Sequence, residues 1–176
     1  MRSNIALIGF MGTGKSAVGR ALAEKLGREF VEMDSLIEKM AGKSIPAIFE
    51  QDGEIAFREM EIEATKKVAR GNNQVIACGG GMVLNKINVD RLRETSRMVY
   101  LKASPQIIME RTSTDANERP LLNVPDPVKR VRELLDFRKP FYERSADITI
   151  DTSRLSIDKI ADLIINRLRE NEGFNL

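Results

Sequence analysis

Gly9-Phe10-Met11-Gly12-Thr13-Gly14-Lys15-Ser16 ends an apolar run, Asn4 to Phe10 (NIALIGF), and opens a segment in which Val18, Ala21, Leu22 and Leu26 recur at helical spacing. The octet fits G-x-x-x-x-G-K-[ST], and it stands directly after a buried strand and at the start of a helix, where its chemistry requires it. Glycines let the backbone curl so that successive N–H groups point inward at phosphate oxygens, and the following helix N-terminus adds its positive end. Lys15 then reaches the β/γ-phosphates and Ser16 can ligate Mg²⁺. The plain alternative is a glycine-rich strand-to-helix turn that holds no ligand.

Outward from this loop, short β-rich runs alternate with longer helical patterns, the signature of βαβ units around a mostly parallel sheet. Four further strands are predicted: Glu29 to Met33, Gln74 to Cys78, Met98 to Leu101 and Ile148 to Ile150. Helical patterns run from Ser16 to Leu26, Asp34 to Met40, Ile45 to Glu50 and Glu54 to Arg70. Ser104-Pro105 and Asp126-Pro127 each open another, with a capping side chain before a proline at the first helical position. A last helix, from Ser156 to about Asn171, carries Ile157, Ile160, Ala161, Ile164, Ile165 and Leu168 on one face. Between Thr112 and Pro125 no period survives, so a mobile loop is expected.

Composition removes several chemistries. The chain has 176 residues, enough for one domain, and contains no histidine and a single cysteine, Cys78. That excludes histidine acid/base catalysis, the Ser/His/Asp triad, His-ligated metals, thiolate zinc clusters and an intrachain disulfide. With 28 basic and 26 acidic residues there is no global field to draw the chain onto nucleic acid. The N-terminus lacks a signal-peptide pattern, and no apolar run approaches the roughly 18 residues of a membrane span. A cytoplasmic protein, bound neither to nucleic acid nor to membrane, is expected.

The phosphate loop is of a particular kind. Gln74 to Cys78 (QVIAC) runs straight into Gly79-Gly80-Gly81 with no carboxylate at its end, unlike motor ATPases. No D-x-x-G occurs, and Asn85-Lys86-Ile87-Asn88 lacks the acid of a guanine-reading N-K-x-D, which disfavours GTPases. The acidic groups must come from elsewhere, and Glu32 and Asp34 at the end of the second strand, two apart, are expected to share a direction beside the loop. Asp34 alternatively caps the helix from Ser35. Arg58, between Ile55 and Ile62, and Arg138, four after Leu134 and seven after Val131, each interrupt an apolar helical stripe, and such a charge wants a partner. A carboxylate ligand would supply it; an internal salt bridge or a helix C-terminus is the alternative. Three glycines in a row at Gly79 to Gly81 clear side chains from the sheet edge and suggest a ligand-facing loop, though a tight turn would also use them.

In order and spacing, these pieces resemble the shikimate kinases, a small group of P-loop kinases of the nucleoside-monophosphate-kinase type. The likeness runs from Ile5 to about Leu168. It rests on GFMGTGKS, Asp34, the stretch SIPAIFEQDGEIAFR from Ser44 to Arg58, Gly79 to Gly81, ERPLL from Glu118 to Leu122, and FRKPFY from Phe137 to Tyr142. The resemblance implies a three-layer α/β fold with a five-stranded, mostly parallel sheet flanked by helices. It also implies a mobile lid at about 112–125 and a substrate-binding helical segment at about 34–62, all within one domain. The implied activity is transfer of the γ-phosphate of ATP to the 3-hydroxyl of shikimate. ATP would lie against Gly12, Thr13, Gly14, Lys15, Ser16 and Ala17, with Arg111 and Arg154 flanking the adenine and Arg119 closing from the lid. Asp34, Arg58, Gly79, Gly80, Gly81 and Arg138 would hold shikimate, and Lys15, Asp34 and Arg119 would be catalytic. Ser16 and Glu32 would serve Mg²⁺, although the family usually has Asp at the position of Glu32 and Thr or Ser at that of Ala17. A monomer is expected. Another small-molecule kinase such as a gluconate kinase, and a catalytically silent ligand-binding paralogue, are the competing readings.

Overall fold

Every residue of the first strand, β1 (Asn4–Ile8), is buried, and its side chains alternate between two apolar layers. Ile5 and Leu7 join Val18 and Leu22 on one side; Ala6 and Ile8 join Ile76, Met98 and Tyr100 on the other. A strand dry on both faces needs neighbours at both edges and helices above and below. The chain, described by a computed structural model over residues 2–113, 122 and 124–170, provides both. β2 (Glu29–Glu32), β3 (Gln74–Ala77), β4 (Ser96–Lys102) and β5 (Ile148–Asp151) complete a five-stranded sheet of order β2-β3-β1-β4-β5, in which all four pairings are parallel.

The helices in chain order are α1 (Lys15–Leu26), α2 (Met33–Ala41), α3 (Ile45–Gln51), α4 (Gly53–Val68), α5 (Lys86–Thr95), α6 (Pro105–Ser113), α7 (Pro127–Ser145) and α8 (Ile157–Glu170). α1 and α8 cover the Ile5/Leu7 face, α8 through Ile160, Ala161, Ile164, Ile165 and Leu168. The others pack on the opposite face, contributing Ile37, Ile48, Phe57, Leu92, Ile108 and Tyr142 among others. The predicted caps form: Ser104 Oγ accepts from the Ile107 amide and Asp126 Oδ1 from the Lys129 amide. No helix among the described residues is long and apolar enough to cross a membrane.

The structure departs from sequence expectation at α5 and at the end of β2. α5 carries no predicted counterpart, because its inward residues are Asn88, Val89 and Leu92 while Ile87 is exposed, so a buried polar side chain blurs the apolar period. β2 stops at Glu32, and Asp34 lies in the first turn of α2. Strand alternation therefore does not govern the relation between Glu32 and Asp34, nor does Asp34 cap the helix, since Glu32 is the residue that precedes it. The predicted lid at about 112–125 falls largely on 114–121 and 123, outside the described residues.

Since all strands run one way, their C-terminal ends meet at one edge of the sheet. β1 ends there in the phosphate loop, β2 in the turn to Asp34, and β3 in Gly79 to Gly81, at the point where strand order reverses across β1. Gly9 makes the departure from β1 possible. Its φ of 149° and a Cβ position only 2.3 Å from the Leu101 carbonyl oxygen leave no room for a side chain against the backbone of β4. Gly9→Ala should therefore cost about 3 kcal/mol of stability and weaken nucleotide binding. Thermal melts read against nucleotide titration check this, and an unchanged melting temperature would contradict the close approach.

Candidate active site

The phosphate loop is fixed from three sides. Thr13 is buried, and its hydroxyl donates to the Phe10 carbonyl at 2.8 Å. Thr152, just past β5, places its own hydroxyl 3.1 Å from the Thr13 carbonyl and 3.2 Å from that of Lys102. Arg111 on α6 donates to the Gly12 carbonyl at 3.2 Å and to the Thr152 carbonyl at 3.0 Å. The loop is thus bound to the ends of β4, β5 and α6, a preorganisation that spares reorganisation when phosphate arrives. Lys15 Nζ donates to the Phe10 carbonyl at 2.9 Å, spanning the arch of the loop. Arg154 is exposed in the turn after β5. Arg119 lies outside the described residues.

Beside the loop, Ser16 Oγ donates to Glu32 Oε1 at 2.6 Å, and Arg20 approaches Glu32 Oε2 at 3.5 Å. A hydroxyl and a carboxylate in contact at the start of α1 are hard oxygen donors of the type Mg²⁺ prefers. No group of three or more Asp, Glu, His or Cys among the described residues is arranged to hold a metal ion, so this is not an all-protein cage. Such sparse ligation fits an ion that keeps phosphate and water in its shell.

The second half of the site is organised by Gly79-Gly80-Gly81. A Cβ on Gly79 would stand 3.2 Å from Asp34 Oδ1 and 3.0 Å from Glu61 Oε2; one on Gly80 would stand 3.5 Å from Arg138 Nη1. On Gly81 it would collide with Arg58, 2.5 Å from Nη1 and 2.6 Å from Nη2. The three glycines therefore bring four charged side chains, carried by α2, α4 and α7, against one stretch of bare backbone. Gly80 also abuts the phosphate loop, its Cβ position being 3.6 Å from the Met11 amide nitrogen and 3.7 Å from the Gly9 carbonyl oxygen. Tyr142 holds this loop from below: its hydroxyl donates to the Gly80 carbonyl at 2.5 Å, and its ring stacks on Tyr100 at 5.1 Å. Burial pushes the Tyr142 phenol and the Cys78 thiol well above their usual ranges, so both stay neutral.

Arg138 lies, as its sequence spacing predicts, in the inward stripe of α7 with Val131, Leu134 and Tyr142, and is only 3% exposed. Its guanidinium sits 5.8 Å from the Phe10 ring centroid, and its Nε is buried without a hydrogen-bond partner among the described residues. For Arg58 the predicted stripe needs correction: Ile55 is 79% exposed, and the inward face of α4 is Phe57, Glu61, Ala64, Thr65 and Val68. Arg58 instead forms the internal ion pairs that stood as its alternative, with Glu54 and Glu61, each at 3.1 Å.

Sequence reasoning missed Glu61, Thr152 and Tyr142. Glu61 is 1% exposed; burial raises its pKa, while the charge and hydrogen bond of Arg58 pull the other way. Its place three residues after Arg58 was the available signal.

The shikimate kinase family model matches residues 11–169. The shikimate kinase of Caldanaerobacter subterraneus subsp. tengcongensis is 49% identical over 170 residues, covering 97% of this chain and 98% of that protein. Among solved structures, shikimate kinase from Acinetobacter baumannii in complex with shikimate superposes with a TM-score of 0.93 at 38% identity, covering 98% of this chain and 96% of that one. Shikimate kinase from Aquifex aeolicus gives 0.83 at 33%, over 96% and 97%. Likeness at this level over nearly the whole of each chain, on a sheet edge that sets a phosphate loop beside a charged glycine pocket, means that the chain belongs to the shikimate kinase family.

Proposed function

We propose that the chain transfers the γ-phosphoryl group of ATP to the 3-hydroxyl of shikimate, giving ADP and shikimate 3-phosphate, with the roles below. The observation that carries this assignment of roles is the contact between the two halves of the site, with Gly80 set against Gly9 and Met11. An acceptor lying on Gly79 to Gly81 would have its hydroxyl beside the end of a nucleotide held by residues Gly12 to Ala17. Arg138 and Arg58 hold the acceptor's carboxylate, because planar guanidinium groups match it bidentately and Arg138 is buried with donor capacity to spare. The charge, and the backbone of Gly80 and Gly81, fix the ring so that Asp34 meets its hydroxyls.

Asp34 accepts a hydrogen bond from the attacking hydroxyl and orients it. As the new O–P bond forms and the bond to the β–γ bridging oxygen breaks, the hydroxyl proton passes to Asp34 and thence to solvent, while ADP leaves with the bridging oxygen's charge. Lys15 shifts from the Phe10 carbonyl to the β/γ-phosphates, and Arg119 arrives from the lid to stabilise the charge and help exclude water. Arg111 steadies the nucleotide side through Gly12, and Arg154 flanks the adenine. Glu61 positions Arg58 and does not touch the acceptor. Ser16, with Glu32 accepting from metal-bound water, would hold Mg²⁺, which supplies neutralisation of phosphate charge. In this reading the working unit is a monomer in the cytoplasm, where ATP is supplied.

Coupled ADP-release assays with shikimate, with gluconate and with no acceptor test the assignment, and release independent of shikimate would defeat it. In the same assay Lys15→Met should abolish transfer while calorimetry still detects shikimate binding, because Lys15 touches no part of the acceptor. Arg138→Ala should raise the KM for shikimate by roughly 30- to 1000-fold, about 2 to 4 kcal/mol, with little change in the KM for ATP. Arg119→Ala should act mainly on kcat; equal effects of the two variants on both substrates would mean that lid and pocket are wrongly divided. Glu32→Gln, which keeps the shape but loses the charge, should raise the Mg²⁺ concentration needed for half-maximal rate about tenfold, and Glu32→Asp should stay within a few-fold of the parent. A Mg²⁺ titration of Glu32→Gln identical to the parent would leave Glu32 as a partner of Ser16 alone.

A further inference from the structure

Arg58 holds two carboxylates of unlike standing. Glu61 meets Nη1 from inside the molecule, with only 2% of its side chain exposed; Glu54 meets Nη2 from the solvent side, with 52% exposed. Both Nη groups also face Gly81, the wall of the acceptor pocket. Whatever carboxylate enters that pocket must therefore share the guanidinium with the two glutamates or displace one. Glu61 cannot leave, because a buried carboxylate separated from its cation would be stranded in a medium that solvates it poorly. Glu54 sits in the first turn of α4, where a rotamer change carries its carboxylate into water, and an exposed ion pair of this type is weak.

We propose that Glu54 is a displaceable counter-ion of Arg58 that sets the affinity for the acceptor. In the empty pocket it neutralises the outer half of the guanidinium; on binding, the acceptor's carboxylate takes its place at Nη2 and Glu54 turns to solvent. If Glu54 stays, its charge repels the entering anion; if it goes, its ion pair is lost, and in either case binding is weakened by its presence. Two carboxylates, one four residues before the arginine and one three after it, thus divide the work, with the inner one aiming the guanidinium and the outer one occupying it until substrate arrives. This inference rests on the assignment of Arg58 as a holder of the acceptor carboxylate.

The test is Glu54→Gln in the full chain, with calorimetric titration of shikimate and of its uncharged methyl ester against parent and variant. The variant should bind shikimate about threefold more tightly, within the range that exposed ion pairs allow, and should show no gain for the ester. The KM for shikimate should fall by the same factor while the KM for ATP does not follow. Unchanged or weaker shikimate binding by the variant would overturn the proposal, as would an equal gain for acid and ester, since a merely structural effect would not distinguish them. Failure of the underlying assignment has a separate signature: Arg58→Ala would keep the parent's preference for acid over ester.

Discussion

An arginine that is 3% exposed and whose Nε has no partner among the described residues is the costly feature around which this side of the site is built. Burying a cation costs several kcal/mol unless an anion and hydrogen bonds compensate, and Arg138 has a distant aromatic face, a neighbouring phenol and part of the charge of Glu61, which Arg58 already shares. In the proposed reading the ligand's carboxylate completes the compensation. A carboxylate that enters beside Arg138 therefore gains an interaction that water had not already satisfied, which is how a small acceptor can be held firmly by few contacts. The packing makes that arrangement stable: Tyr142, one turn further along α7, is wedged against Tyr100 and bonded to the Gly80 carbonyl. Arginine and glycine loop are therefore located by the same helix.

The nucleotide side is supported differently. Its loop is tied to carbonyl and hydroxyl groups at the ends of β4 and β5 through Thr152 and to α6 through Arg111, so its geometry follows from the sheet edge and the helix beside it. Its described cations are not fully buried: Lys15 and Arg111 are half-buried and Arg154 is exposed. That suits a ligand of high charge, whose own solvation is expensive to remove and which is better met by backbone dipoles and mobile cations than by buried ones.

How much of this was legible in the sequence depended on whether the relevant residues are neighbours in the chain. The phosphate loop is contiguous, and strand, glycines, lysine and serine could be read together. Arg138 was legible because a charge in an apolar stripe violates the pattern of its helix, and the structure buries it. The same reasoning failed in detail for Arg58: Ile55 is apolar but exposed, and periodicity does not distinguish an apolar residue that packs from one that does not. Asp34 was placed at the correct sheet edge by an alternation rule that does not apply, because the strand ends two residues earlier. Thr152 and Tyr142 were beyond reach for a simpler reason. Their partners Thr13 and Gly80 lie 139 and 62 residues away, and a threonine or tyrosine at such positions carries no local mark of its role.

The acceptor pocket joins parts of the chain that are otherwise held separately. Arg58 rides on α4, Arg138 on α7, and Asp34 on α2, while the glycines belong to the end of β3. A carboxylate bound by both arginines would link α4 to α7 across Gly80 and Gly81, turning two cations that repel one another into the two ends of one clamp. Glu61 already relieves part of that repulsion from below, at the cost of keeping a carboxylate in a place that disfavours its charge. With Asp34 and the outer Glu54 added, the two cations stand among three carboxylates. An entering acid would shift that arrangement, and the hydroxyl it brings would land beside Asp34 because the arginines would take its other end.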